Sequence, residues 1–165
     1  MNVILIGMPG AGKSTVGVVL AKMLGCGFID GDLVIQEKTG KLLHEIIEEI
    51  GTEGFNALED KINCEISPQR AVISPGGSVI YGKKAMEHYK SIGRVVFLSL
   101  PLQELKCRLG DLNERGVSLK EGQTLEDLYN ERLPLYKAYA DFTVDCHNKP
   151  LKEVASEIAE YIRGK

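Results

Sequence analysis

The run Gly7-Met8-Pro9-Gly10-Ala11-Gly12-Lys13-Ser14-Thr15 follows directly on the apolar stretch Val3-Ile4-Leu5-Ile6 and satisfies G-x-x-x-x-G-K-[ST] at every required position. Val16, Leu20, Ala21 and Leu24 then recur at helical spacing. A buried-type strand, a glycine turn and a helix in that order predict an α/β domain whose first loop grips an anion. The glycines let the backbone come close to phosphate, so Gly10, Ala11, Gly12, Lys13, Ser14 and Thr15 are the candidate nucleotide-binding residues. Lys13 is placed to reach the outer phosphates and Ser14 to offer a hydroxyl to Mg2+. The helix that starts near Ser14 points its positive end at the ligand. The expected ligand is a nucleoside triphosphate with Mg2+.

The rest of the chain reads as one domain over residues 1–165, long enough to bury about 70% of the surface of its unfolded chain. Phe28-Ile29, Ala71-Val72-Ile73, Val95-Val96-Phe97-Leu98 and Phe142-Thr143-Val144 predict four more strands, with helical periodicity between them. Five strands alternating with helices give a three-layer α/β sandwich on a parallel sheet. Helices are expected over Leu42 to Ile50, ending at Gly51, and over about Thr52 to Ser67, so residues of about 33–67 form a helical lump suited to a second substrate. Residues of about 110–123 are polar and aperiodic, which suits either a functional lid or mobile surface. A helix beginning near Thr124 is expected to be interrupted and kinked at Pro134.

Composition narrows the partners. A net charge of −3 argues against nucleic acid, and no apolar run approaches the roughly 20 residues of a membrane span. Cys26, Cys64, Cys107 and Cys146 are widely spaced without a Cys-x-x-Cys pair, which suits reduced thiols. The N-terminus has no basic leader, so the expectation is a cytoplasmic, monomeric protein acting on a small molecule, away from membranes.

Asp30-Gly31-Asp32 lies at the C-terminal edge of the second strand, where open α/β sheets bind ligands. Read as alternate residues of a strand, both carboxylates face the metal and the incoming hydroxyl.

The phosphate loop, Asp30-Gly31-Asp32, Gly54-Phe55 with Glu59, Pro75-Gly76-Gly77, Arg115 and the run Arg132-Leu133-Pro134-Leu135-Tyr136 together resemble the shikimate kinase family in order and spacing. The resemblance covers essentially the whole chain. It implies the P-loop fold of nucleoside-monophosphate kinases and phosphorylation of the 3-hydroxyl of shikimate, a step of aromatic amino-acid biosynthesis. It further implies that Asp30 acts on the metal and that Asp32 binds the substrate's hydroxyls and accepts the proton. Gly76 and Gly77 contact substrate, Arg132 binds its carboxylate, Arg115 closes on the transferring phosphate, and Arg108 stacks on adenine. Pro150 falls where the family's adenine loop lies.

This chain departs from the family pattern at three places. Asn56 stands where the family has a second carboxylate-binding arginine, Ser78 replaces a third loop glycine, and Gly116-Val117 follow the lid arginine. With Asn56 and Glu59 in the pocket, the site becomes less positive. That leaves open a kinase of another hydroxylated metabolite, such as a polyol, a sugar acid or an amino alcohol. A different class of reading is an ATP-binding regulator without turnover.

Overall fold

The computed structural model describes residues 1–109 and 120–164. Most of the expected lid, with Arg115, Gly116 and Val117, lies outside the described residues.

Strand β1 (Asn2–Ile6) is buried at every position, and a continuous apolar run of this kind suits only a strand covered on both faces. It takes the centre of a five-stranded, all-parallel sheet with β2 (Gly27–Asp30), β3 (Ala71–Ser74), β4 (Gly93–Ser99) and β5 (Phe142–Asp145), in the order β2-β3-β1-β4-β5. Ile4 lies beside Ile73 on one side and Val95 on the other. The strand order therefore reverses at β1, and the crevice beyond its C-terminal end is where such sheets bind ligands. The phosphate loop emerges at that point.

Helices flank the sheet, completing the three layers. They are α1 (Lys13–Leu24), α2 (Gly31–Thr39), α3 (Leu43–Cys64), α4 (Lys83–Ile92), α5 (Leu102–Arg108), α6 (Leu125–Tyr139) and α7 (Leu151–Arg163). Helix α1 packs on α7, and α3 on α4. The main core joins Leu5, Leu20, Ile73, Phe97, Val144 and Ile158 across the sheet. A second, smaller cluster of Ile35, Leu43, Ile46, Phe55 and Ile62 fastens α2 to α3. At the opposite end of the sheet from the crevice, buried Asn2 is fully used. Its Nδ2 donates to the carbonyls of Pro68 (2.8 Å) and Ile92 (3.2 Å), and its Oδ1 accepts from the Ala71 amide (2.9 Å). One side chain thus ties the segments entering β3 and β4 to β1.

The break expected at Gly51 is there: its backbone is non-helical (φ 73°, ψ 175°) and divides α3 into two helical stretches, the second ending at Cys64. Two local expectations need correction. Helix α6 runs through Pro134 without interruption. Arg132 and Tyr136, both buried, hold the helix on either side of the proline, so packing outweighs the one amide bond that proline removes. Asp30 and Asp32 are not alternate residues of one strand. Asp30 ends β2 and caps α2, its Oδ1 accepting from the amides of Asp32 (3.0 Å) and Leu33 (3.3 Å), and Asp32 lies in the first turn of that helix.

Candidate active site

Gly12 precedes the first residue of α1 with a left-handed backbone (φ 88°, ψ 19°), a conformation that favours glycine. Lys13 is 9% exposed, and its Nζ donates back to the carbonyls of Gly7 (2.9 Å) and Met8 (3.0 Å). Burial lowers its pKa to about 8 against the pull of the Asp32 carboxylate, with Arg132 adding to the fall, and the ammonium stays mostly charged at neutral pH. Ser14 Oγ donates to Asp30 Oδ2 (2.7 Å) and lies 3.5 Å from Ser74 Oγ.

These groups border a cavity of about 350 Å3 lined by loop residues Pro9 to Thr15 except Ala11, by Asp32, Leu43, Phe55, Pro75, Gly76, Gly77 and Ser78, and by Arg132. Asp32 supplies the negative wall. Burial raises its pKa to about 6, Lys13 opposing and Asp30 adding to the rise, so it is mostly ionised at pH 7 but a better proton acceptor than an exposed aspartate. Arg132, 1% exposed, supplies the positive wall. Its guanidinium carbon lies 5.3 Å from the centre of the Tyr81 ring and it hydrogen-bonds the phenols of Tyr81 and Tyr136. Burial is the largest influence on this arginine and lowers its pKa, but the two tyrosines outweigh it and leave it above the ordinary value. Tyr136 also donates its hydroxyl to the Gly77 carbonyl (2.6 Å), which fixes the glycine turn against α6.

Glu59 and Asn56 do not line this cavity. Glu59 lies behind it, 1% exposed, and accepts the Ser78 hydroxyl on Oε2. Burial raises its pKa to about 7, a rise that the Ser78 bond moderates and the Asp32 charge increases. Lys41, on the surface, pairs with Glu49. A β-carbon placed on Gly76 would stand 2.6 Å from Asp32 Oδ1 and 2.9 Å from Glu59 Oε1. Only glycine leaves room there for two converging carboxyls. Asn56 instead borders a separate cavity of about 200 Å3 with Thr52, Glu53, Tyr81, Lys120, Gln123 and Glu131.

A third cavity, of about 280 Å3, opens on the other side of the loop between Ala11, Gly12, Thr15, Val16, Arg108, Cys146, Lys149, Leu151 and Val154. Arg108 reaches it from α5, donating to the Gly10 carbonyl (3.3 Å) and to Glu104 (2.7 Å). The second oxygen of Glu104 meets His147 Nδ1 at 2.8 Å, which ties α5 to the turn after β5. Pro150 flanks α7 without lining the cavity, whereas its neighbours Lys149 and Leu151 do line it. Glu104, His147 and Tyr81 are site residues that the sequence reading does not single out, and Tyr136 enters it only as the end of the run that begins at Arg132, one helical turn away.

A phosphate loop at the switch point of a parallel sheet, with an acidic and a basic wall on one side and an arginine on the other, defines a small-molecule phosphotransferase of the nucleoside-monophosphate-kinase-like fold. Comparison with known proteins gives the family. The pattern of the family "Shikimate kinase" matches residues 9–163. The shikimate kinase of Vibrio parahaemolyticus is 31% identical over 167 residues, covering 99% of this chain and 97% of that protein. A solved structure described as shikimate kinase from Acinetobacter baumannii in complex with shikimate superposes with a TM-score of 0.90 at 34% identity, covering 99% of this chain and 93% of that one. The human protein threonine synthase-like 1 is 37% identical over 165 residues, but this chain spans only 22% of its length. The chain belongs to the shikimate kinase family, kinases that use ATP to phosphorylate an alcohol group.

Proposed function

We propose that this protein transfers the γ-phosphoryl group of ATP to the 3-hydroxyl of shikimate. The observation that carries the reading is that Lys13, Asp32 and Arg132 border one cavity together with the phosphate loop. Asp32 takes the proton of the attacking hydroxyl. The acceptor oxygen forms a bond to the γ-phosphorus as the bond to the β,γ-bridging oxygen breaks, and ADP leaves. Lys13 and the loop amides offset charge on the phosphate oxygens, the main task in phosphoryl transfer. Arg132, locked by two tyrosines, holds the substrate carboxylate with a planar pair of donors. Arg108 and the cavity beside it hold the adenine, and Arg115 closes on the transferring group. The alternatives of another acceptor or of a non-catalytic regulator are not favoured by the family match, which extends over nearly the whole chain.

Ser14 and Asp30 suit Mg2+, because a hydroxyl and a carboxylate already in contact form a hard oxygen set of the kind this ion takes, with phosphates and water completing it. When bound, the ion supplies neutralisation of the phosphate charge. We read the chain as one domain over 1–165, with substrate-side helices of about 33–67 and a lid of about 110–123, acting as a cytoplasmic monomer. Among the described residues no helix is long and apolar enough to cross a membrane.

A single guanidinium for the carboxylate weakens binding. Losing a charged hydrogen bond of roughly 1.5–3 kcal/mol corresponds to about ten- to a hundredfold in affinity, so a high KM for shikimate is expected. The test is ADP release with Mg-ATP and shikimate over a wide concentration range, with quinate, gluconate and neutral polyols alongside. Saturable turnover with shikimate above the others is the expected result, and turnover only with a non-acidic alcohol overturns the assignment.

A further inference from the structure

The glycine turn after β3 is gripped from two sides. Tyr136 bonds the Gly77 carbonyl, and a β-carbon on Gly77 would lie 3.0 Å from Arg132 Nη1, so the basic wall rests against that residue. On the other side, Asp32 Oδ1 and Glu59 Oε1 converge on Gly76. What keeps Glu59 there comes from the next residue but one. Ser78, 7% exposed and bordering the cavity, donates its hydroxyl to Glu59 Oε2, while Oε1 has no hydrogen-bond partner. The backbone behind Glu59 is held as well, its carbonyl accepting from Asn63 Nδ2 (2.8 Å), and Asn63 Oδ1 accepts from buried Tyr89. With the backbone held, the side-chain torsions place the carboxyl, and the Ser78 bond restrains them. Asn56 borders a different cavity, and its Oδ1 has no hydrogen-bond partner.

We propose that Ser78 is a positioning residue of the acceptor site: its hydroxyl fixes the Glu59 carboxyl at Gly76 beside Asp32, and through it sets how the site receives an anionic acceptor. The inference rests on the reading of the inner cavity as the acceptor site. With Asn56 bordering a different cavity, the carboxyl is held by a neutral hydroxyl from the turn. The charged groups facing Glu59 are Lys13 from α1, Asp32 from α2 and Arg132 from α6, with the phenols of Tyr89 from α4 and Tyr136 from α6 nearby. An ionised Glu59 in this setting opposes a carboxylate substrate, and a protonated one does not. The Ser78 bond favours the ionised form.

The experiment compares wild type with Ser78→Ala, Ser78→Gly and Ser78→Thr across pH 5.5 to 8.5, measuring KM for shikimate, KM for ATP and kcat. Ala and Gly are expected to change KM for shikimate by about three- to tenfold while KM for ATP stays within twofold. They are also expected to move the pH at which KM for shikimate rises to a higher value. Thr, which keeps the hydroxyl, should give wild-type values of both, and in a Glu59→Gln background Ser78→Ala should no longer displace the profile, which then reflects Asp32 and Lys13. An unmoved pH profile in Ala and Gly, or a loss that Thr does not restore, overturns the proposal. The Glu59 carboxyl can also be followed by carbon-13 NMR in the ligand-free protein. An upward shift of its titration in Ser78→Ala supports the coupling even if shikimate proves not to be the acceptor, and an unchanged titration refutes it.

Discussion

Replacing Glu59 by glutamine should stabilise the protein, and should do so more at high pH than at low. Glu59 is a carboxyl held at 1% exposure with its pKa raised from 4.5 to about 7, burial being the main cause. The folded state therefore binds this proton more tightly than the unfolded chain does. Stability falls as pH rises from the unfolded value near 4.5 and levels off above about 7. At 1.36 kcal/mol per pKa unit, the penalty grows by about 2–3 kcal/mol between pH 5 and pH 8. Glutamine has nearly the same shape, offers an oxygen to the Ser78 hydroxyl and carries no charge at either pH. Any fixed cost of the amide cancels when the same two proteins are compared at both pH values. For a chain of this size the expected gain in Tm of Glu59→Gln over wild type is larger at pH 8 than at pH 5 by about 5–10 °C. Thermal unfolding followed by circular dichroism measures it. A Tm difference that is the same at both pH values, or larger at pH 5, refutes the reasoning.

Other consequences follow from particular contacts. Asn2→Ala removes three hydrogen bonds and leaves the Ala71 amide buried without its partner, so urea unfolding should show a loss of about 2–3 kcal/mol with unchanged kinetic constants. Glu104→Gln should loosen Arg108 and raise KM for ATP about two- to fivefold while KM for shikimate stays unchanged, as exposed ion pairs contribute little. Arg132→Lys keeps the charge but loses the planar fork and its contacts with Tyr81 and Tyr136. Steady-state kinetics should show KM for shikimate rising by about tenfold or more with KM for ATP little changed. Removal of divalent cations with a chelator should abolish transfer, and added Mg2+ should restore it.

Much of the architecture could be read from local pattern. The strand, loop and helix at the N-terminus announce themselves because one contiguous motif carries them, and β1, β3 and β4 because strands buried on both faces are continuous apolar runs, whereas the edge strands β2 and β5 are only partly buried. The lateral order of the strands has no such local signature. Asp30 and Asp32 were placed near the site, but by the wrong geometry. A strand-edge reading missed that an aspartate before a glycine also caps a helix, which is what Asp30 does. Pro134 misled in the same way, since local propensity gave way to the burial of Arg132 and Tyr136 around it. The contacts that shape the walls were hidden for a different reason. Ser78 meets Glu59 from 19 residues away, His147 meets Glu104 from 43, and Tyr136 meets Gly77 from 59. Such pairs exist only once the chain has folded, and no periodicity records them. Arg115, read as the lid arginine, lies outside the described residues.

Phosphorylation of shikimate is expected in the cavity between Lys13, Asp32 and Arg132. Its most direct test is mass-spectrometric detection of shikimate 3-phosphate formed by wild type and by Asp32→Asn under Mg-ATP, with ATP binding measured in both. Product is expected from wild type, with at least about a hundredfold slower formation in Asp32→Asn and ATP binding retained. Absence of the product from wild type, or its formation at an undiminished rate by Asp32→Asn, would contradict that expectation.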